Sequence, residues 1–318
     1  MVTVLDPALA PVTYLAAVWL KALRCAGGEG LRRLPRCRHT LRAVGIYPVR
    51  DHYYEPLLQP GHLRRPLDVD RDLPGLDLNV AGQLEMLESF TFAPELTQLA
   101  MDVTPDHEYY YNNGYFESGD AEFFYSMIRL RKPRLLIEVG SGFSSLLAIK
   151  ALEANRAELP GYACRHVCIE PFERPWLQQL DVEMIRTPVE RCDLSLLSDL
   201  TTDDILFIDS SHVIRPQGDV LFEYLELLPR LKPGVFVHIH DIFTPRDYPR
   251  QWLIERTRFW NEQYLVEAFL SFNSNFEIVG ALNYLKHHHP RALAAKCPIL
   301  ARQFTSREPG SLWLRRVH

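Results

Sequence analysis

Apolar and polar positions fall into two alternating regimes along the chain. Short, mainly apolar runs recur through its middle: Leu135-Leu136-Ile137 with Val139, Cys164 to Ile169, Ile205 to Ile208 and Val235 to Ile239. Runs of this length, bounded by turn residues, predict strands buried on both faces, as in a parallel sheet. Asp181 to Arg186 predicts a shorter strand after the second of them. Between the runs the apolar spacing turns helical, with Leu146, Leu147, Ile149 and Leu152 after the first. Val220, Tyr224, Leu227 and Leu228 follow the Ile205 run, in a helix opened by Pro216 and stopped before Lys232-Pro233-Gly234. Strand alternating with helix predicts an α/β fold.

The flanks carry longer helical patterns. Gln83 to Met101 predicts one helix, and Tyr248 to Leu270 a long one rich in aromatic and polar residues. Tyr109 to Phe116 (YYYNNGYF) is an aromatic turn whose Asn113, Tyr115 and Phe116 could cover a pocket. The helix after it is capped by Ser118 or Asp120 and stopped by Pro133. Phe276 to Leu285 and Ser311 to Val317 predict two closing strands with a helical link. Pro11 to Ala26 is apolar but follows Asp6 with no basic stretch before it, so it is expected to be a core or capping helix rather than a signal peptide. No apolar run is read as approaching the roughly 18 residues of a membrane span, so the expectation is a cytoplasmic protein with no membrane partner.

Composition changes this picture little. A chain of 318 residues, 47% hydrophobic and 24% charged, suits one large domain or a domain with an extension. A net charge of −5 gives no support for nucleic-acid binding. The six cysteines form no CxxC pair and are expected as reduced thiols. Charge is unevenly placed, however. Residues 20–50 carry eight Lys and Arg against Glu29 alone, whereas residues 51–122 carry fifteen acids and three arginines. The His52–Leu57 cluster lies near this inversion, and the division expected is an extension over 1–107 and a main domain over 108–318.

Candidate chemistry gathers where the strands end. In IEVGSG, Gly140 and Gly142 permit a tight turn between strand and helix, with Ser144 or Ser145 as N-cap, exposing backbone N–H groups to a ligand. Glu138 lies inside the strand, where a carboxylate is costly unless something binds it. Glu170 ends the next strand, placed to accept hydrogen bonds from a ribose diol; Asp209 and Asp241 end two more. Ligands of open α/β sheets bind at that edge. Ser145 occupies the third glycine position of a dinucleotide fingerprint, which disfavours a NAD-dependent oxidoreductase. His287, His288 and His289, read at a strand end, would point to opposite sides and are expected to be exposed rather than to share one ion.

With IEVGSG, IEPF, FIDSSH and LKPGVFVHIHDIF in this order, the chain resembles class I S-adenosylmethionine-dependent methyltransferases. Within them it is similar to a bacterial group in which HIHDIF is followed by WNEQYL, here Trp260 to Leu265. The resemblance covers about residues 108 to 317. It implies a Rossmann-like seven-stranded sheet, order 3-2-1-4-5-7-6 with strand 7 antiparallel, beside a mainly helical N-terminal extension. By position it assigns Glu138, Gly140, Ser141 and Gly142 to the methionine part of the cofactor and Glu170 to the ribose. Phe172 and the Thr187–Glu190 loop would flank the adenine, with Ser144, Pro171, Val189 and Asp209 completing the cofactor set.

Methyl transfer from a sulfonium needs alignment of acceptor and methyl, plus removal of the acceptor's proton. Asp209, His212 and Asp241 are the catalytic candidates, with His212 as base. The layout also resembles metal-dependent O-methyltransferases, which would place magnesium, manganese or iron on Asp209, His240 and Asp241. HIHD could instead be a buried hydrogen-bond network, with His238 facing the other side of the strand. The expected acceptor is a small polar metabolite, with no nucleic-acid partner and homo-oligomerisation left open. A SAM-binding protein without methyl transfer is the alternative function.

Overall fold

In the computed structural model, which describes residues 2–26, 30–104, 108–172 and 174–318, seven strands form one sheet. They are β1 (Leu135–Val139), β2 (Arg165–Ile169), β3 (Glu183–Ile185), β4 (Ile205–Ile208), β5 (Phe236–Ile239), β6 (Phe276–Ala281) and β7 (Leu312–Arg316). Their order is β3-β2-β1-β4-β5-β7-β6, with β7 antiparallel to both its neighbours and the other pairs parallel. This is the expected arrangement. Every residue of β1, β4 and β5 is buried, as their nearly polar-free sequences require of central parallel strands.

Alternation along the strands divides the core into two layers. Leu136, Phe207, Phe236 and Trp313 pack on one face with Phe123, Phe124 and Ile128 of the Asp120–Arg131 helix and Leu147 and Ala151 of the Phe143–Glu158 helix. Leu135, Ile137, Leu206, Ile208, Val237 and Ile239 pack on the other with Val220, Tyr224, Leu227 and Val266. Register then fixes the rim. Val139 pairs with Ile169 and with Ile208, and Ile208 with Ile239. The next residues along each strand, Gly140, Glu170, Asp209 and His240, therefore leave the sheet side by side.

Several expected elements are interrupted. The Gln83–Met101 helix is two, Val80–Glu88 and Ala93–Leu96, the second restarting with Pro94 in its first turn. The long Tyr248–Leu270 helix is a wide turn over Gln251–Glu255 and a helix over Glu262–Leu270. It cannot run through because the N–H groups of Asn261 and Glu262 both donate to the His212 carbonyl, at 2.9 and 3.2 Å. The helix expected from Pro216 starts only at Asp219. Ala281 ends β6, and Leu282–His288 is helical rather than strand.

The histidine run therefore lies on and just after a helix, where His287 pairs with Glu308 (2.8 Å) and His288 with Asp70 (2.6 Å). His288 is exposed and the other two are half-buried. His238 lies on the same strand face as His240, their rings 5.6 Å apart, and bonds Ser311 (2.6 Å); it does not turn to the opposite side.

The chain divides into two compact units at a different place from the expected 107/108 boundary. One unit holds the residues up to Arg64 with Gln251–Phe259; the other holds Arg65–Arg250 and Trp260–His318. Residues 105–107 lie outside the described residues. Within the second unit, the Val80–Glu88 helix packs on β6 and Gln83 accepts the Ala281 N–H (2.7 Å). Arg71 pairs there with Glu267.

In the first unit, Val2–Cys25 is one helix. Of the expected core or capping helix, the core reading fails: the segment Leu5–Cys25 has no buried residue. By length and composition alone, its 21 residues and mean hydropathy of 1.2 are enough to cross a membrane, which also corrects the reading of no such run. In the His52–Leu57 cluster, Tyr53 and Tyr54 are exposed, and Glu55 pairs with Arg24 and Arg50.

Candidate active site

The bend after β1 requires glycine at one of its two positions. Gly140 has φ +81°, and a Cβ there would collide with the Asp209 carbonyl oxygen. Gly142 is extended, with open space where a Cβ would stand. Gly142, not Ser144 or Ser145, is the N-cap of the Phe143–Glu158 helix; Ser145 Oγ accepts its N–H at 3.2 Å. Glu170 crosses beneath the bend, accepting the N–H of Ser141 (3.3 Å) and of Phe172 (2.7 Å).

A cavity of about 420 Å³ opens over this rim, lined by Gly140, Glu170, Pro171, Phe172, Val189 and Asp209 among others. A narrower cleft of about 90 Å³ adjoins Ser141, Gly142, Ser144 and Asp209. Asp209 borders both. The structure thus brings every expected cofactor residue to these spaces except Glu138. That carboxylate is fully buried, accepting from Ser144 Oγ (2.6 Å) and paired with His166 Nε2 (2.5 Å). Strand alternation sends its side chain down onto the helical face with Leu136, where the His166 imidazole offsets its burial.

The narrower cleft is covered by the aromatic turn. Tyr115 stacks on Phe143 (ring centroids 5.7 Å, 15° between planes), and the Arg174 guanidinium lies 4.3 Å from the Tyr115 centroid. Tyr115 and Phe116 line the cleft. Asn113 instead fixes the turn, its amide bonding the backbone of Tyr110, Tyr115 and Phe116.

Beyond β4 and β5 a second group converges. His212 Nε2 stands 3.2 Å from Asp209 Oδ1 and 3.7 Å from Asp241 Oδ2, while its Nδ1 is 2.7 Å from the buried Glu262. His212 and Asp241 both adopt left-handed backbone (φ +58° and +59°), a strain of about 1–3 kcal/mol each that recurs at functional sites. Burial disfavours the His212 imidazolium, yet the carboxylates of Asp209, Glu262 and Asp241 raise its pKa well above the ordinary value. Burial would also raise Asp209, but His240 and His212 hold it down at about 2. Asp241 is raised by burial, which His240 and His212 only partly offset.

Donor atoms of Asp209, His212 and Asp241 lie within 4.8 Å of one another. His240 does not join that group; its Nε2 is 3.6 Å from Asp241 and its ring packs on Phe116. The imidazole beside the two acids is therefore His212 and not, as the sequence suggests, His240.

The WNEQYL segment holds this group in place. Trp260 packs on the His212 ring (4.2 Å), and Asn261 Oδ1 accepts the Ile214 N–H (2.6 Å). Glu262 bridges His212 and the Tyr224 hydroxyl (2.7 Å each). Gln263 accepts the Phe243 N–H and donates to the Arg246 carbonyl, both at 2.7 Å. Glu262 and Tyr224 carry no signal of a site role in the sequence. The motif containing Glu262 is visible there, but nothing in it points to His212.

A glycine bend and the acids Glu170, Asp209 and Asp241 thus share the rim of a β3-β2-β1-β4-β5-β7-β6 sheet, the edge at which open α/β sheets bind their ligands. A family model described as a methyltransferase domain matches residues 137–242, from β1 through the Asp241 loop. The matched segment is thus a methyltransferase domain, and the sheet that carries it has the strand order of the class I S-adenosylmethionine-dependent methyltransferases.

An uncharacterised protein of Archaeoglobus fulgidus is 32% identical over 178 residues, which are 50% of this chain and 76% of that one. Among solved structures, the plantazolicin methyltransferase BpumL, in complex with SAH and a desmethyl analogue, is 15% identical. The match covers 63% of this chain and 84% of that one, with a TM-score of 0.37. The O-methyltransferase TomG from Streptomyces achromogenes, in complex with SAM, is also 15% identical, covering 74% and 90% with a TM-score of 0.36.

Proposed function

We propose that this methyltransferase moves the methyl group of S-adenosylmethionine to a hydroxyl oxygen of a small polar metabolite in the cytoplasm. The observation that carries the reading is the shared cavity of Gly140, Glu170 and Asp209. Glu170 would accept from the ribose hydroxyls, Pro171, Phe172 and Val189 would flank the adenine, and Ser141, Gly142 and Ser144 would face the methionine part. With the sulfonium then near Asp209, an acceptor approaches over Asp209 and Asp241, and alignment supplies much of the rate. The acidic rim disfavours a polyanionic acceptor such as nucleic acid.

Two carboxylates and one imidazole within 4.8 Å form a donor set that fits a divalent cation such as magnesium, manganese or iron. Asp209, His212 and Asp241 would hold it. When bound, such an ion lowers the pKa of a coordinated hydroxyl. Glu262, on Nδ1, fixes the ring so that Nε2 faces the rim. A second reading makes His212 the general base: Glu262 holds Nδ1, and Nε2 faces the rim beside Asp209 and Asp241, which would have to release it to the acceptor hydroxyl.

Equilibrium binding should show S-adenosylmethionine bound and NAD not; tight NAD binding without the sulfonium would overturn the proposal. With an acceptor found by screening, a chelator should abolish transfer and manganese or magnesium should restore it. Chelator-resistant transfer lost in His212→Ala would select the base instead.

A further inference from the structure

In the helix Val2–Cys25, the segment Leu5–Cys25 is apolar and has no buried residue. Leu9, Val12, Tyr14, Leu15 and Trp19 are each more than half exposed, far beyond the scattered apolar residues of an ordinary surface. The chain on its C-terminal side is strongly basic. Lys21, Arg32, Arg33, Arg36, Arg38 and Arg42 are exposed, and the helix Pro35–Val44 has no buried residue. Val44 at its end and Ile46 just beyond it are again more than half exposed. A protein of net charge −5 thus concentrates eight basic side chains against one acid within residues 20–50, beside its most exposed apolar helix.

We infer that residues 5–26 and 30–46 dock on an anionic lipid surface, the Leu5–Cys25 helix lying in the headgroup–acyl boundary and the neighbouring arginines on the headgroups. Apolar side chains joined to a polybasic stretch are the two signals that together give stable membrane attachment. Each Lys or Arg near such a surface adds attraction to the headgroups, and Tyr14 and Trp19 are the ring types favoured at the interface. Although Leu5–Cys25 is long and apolar enough to cross a bilayer, its uncharged part runs only from Pro7 to Leu20, and the polybasic stretch beside it favours lying on one leaflet. The expectation of no membrane partner rested on reading no apolar run of membrane-span length, which Leu5–Cys25 does reach.

Flotation of the full chain with vesicles tests this. Binding is expected to phosphatidylglycerol-containing vesicles, and about tenfold weaker binding to pure phosphatidylcholine or in high salt. Leu15→Glu with Trp19→Glu should abolish it, and Arg36→Ser with Arg38→Ser should weaken it severalfold, with cofactor affinity unchanged in both. Three results would overturn the inference: no binding to anionic vesicles; a dimer that Leu15→Glu dissociates and that ignores lipid; or protein from its own cells that lacks residues 1–26, the mark of a removed leader.

Discussion

The two glycines of the bend look equivalent in sequence and are not equivalent in space. At Gly140 an added methyl meets the Asp209 backbone, at a positive φ. Gly140→Ala should therefore abolish cofactor binding and lower stability by about 2–4 kcal/mol, the range of backbone-strain substitutions. At Gly142 the same methyl enters open space beside the cleft. Gly142→Ala should leave the melting temperature within about 2 °C of wild type, as changes without a steric cause do. It should nonetheless weaken S-adenosylmethionine binding at least severalfold. Melting curves and titration calorimetry on the pair check both; an equal loss of stability in the two variants would refute the distinction. Glu138 teaches the complementary lesson. Its residue type and place in the motif were legible, but its partner His166 lies on a neighbouring strand, and only register shows that they meet.

At the scale of elements, what was legible depends on how local each signal is. The five parallel strands were read within a residue or two because each is a self-contained run ended by turn residues. The helix through Tyr248–Leu270 was misread because Asn261 and Glu262 bond the His212 loop, some fifty residues back in the chain. That contact turns WNEQYL from an aromatic wall into a brace for HIHDIF and FIDSSH. Glu262 is the joint, touching His212 and Tyr224 from full burial. Glu262→Ala leaves a buried imidazole and hydroxyl without their acceptor and should cost about 3–5 kcal/mol, as breaking a buried charged pair does. Glu262→Gln keeps one acceptor oxygen and the shape, so it should fold with a smaller loss. Turnover should still fall about tenfold or more, the effect expected of a lost group behind a ligand or base. A Gln variant with wild-type turnover would remove Glu262 from any positioning role.

For the whole molecule, the sheet is held to its helical layer by a buried polar cluster as well as by apolar packing. Glu138 on β1, His166 and Cys168 on β2 and Ser144 on the Phe143–Glu158 helix all lie within the core. Burial would lower the His166 pKa, but Cys168 and Glu138 outweigh it and raise the imidazole to about 10. A histidine raised in the folded state binds its proton more tightly there than in the unfolded chain. The resulting stability is therefore complete below about pH 6.5 and is lost as pH rises through about 10. Thermal unfolding should show the melting temperature falling across this alkaline window. His166→Gln, which keeps a donor toward Glu138 but cannot titrate, should be less stable at pH 6.5 and converge on wild type near pH 10. His212 is raised in the same sense, but it is common to both proteins and drops out of the difference. Curves that stay parallel from pH 6.5 to 10 would show that His166 carries no proton in the fold, and Glu138 would then be buried against a neutral ring.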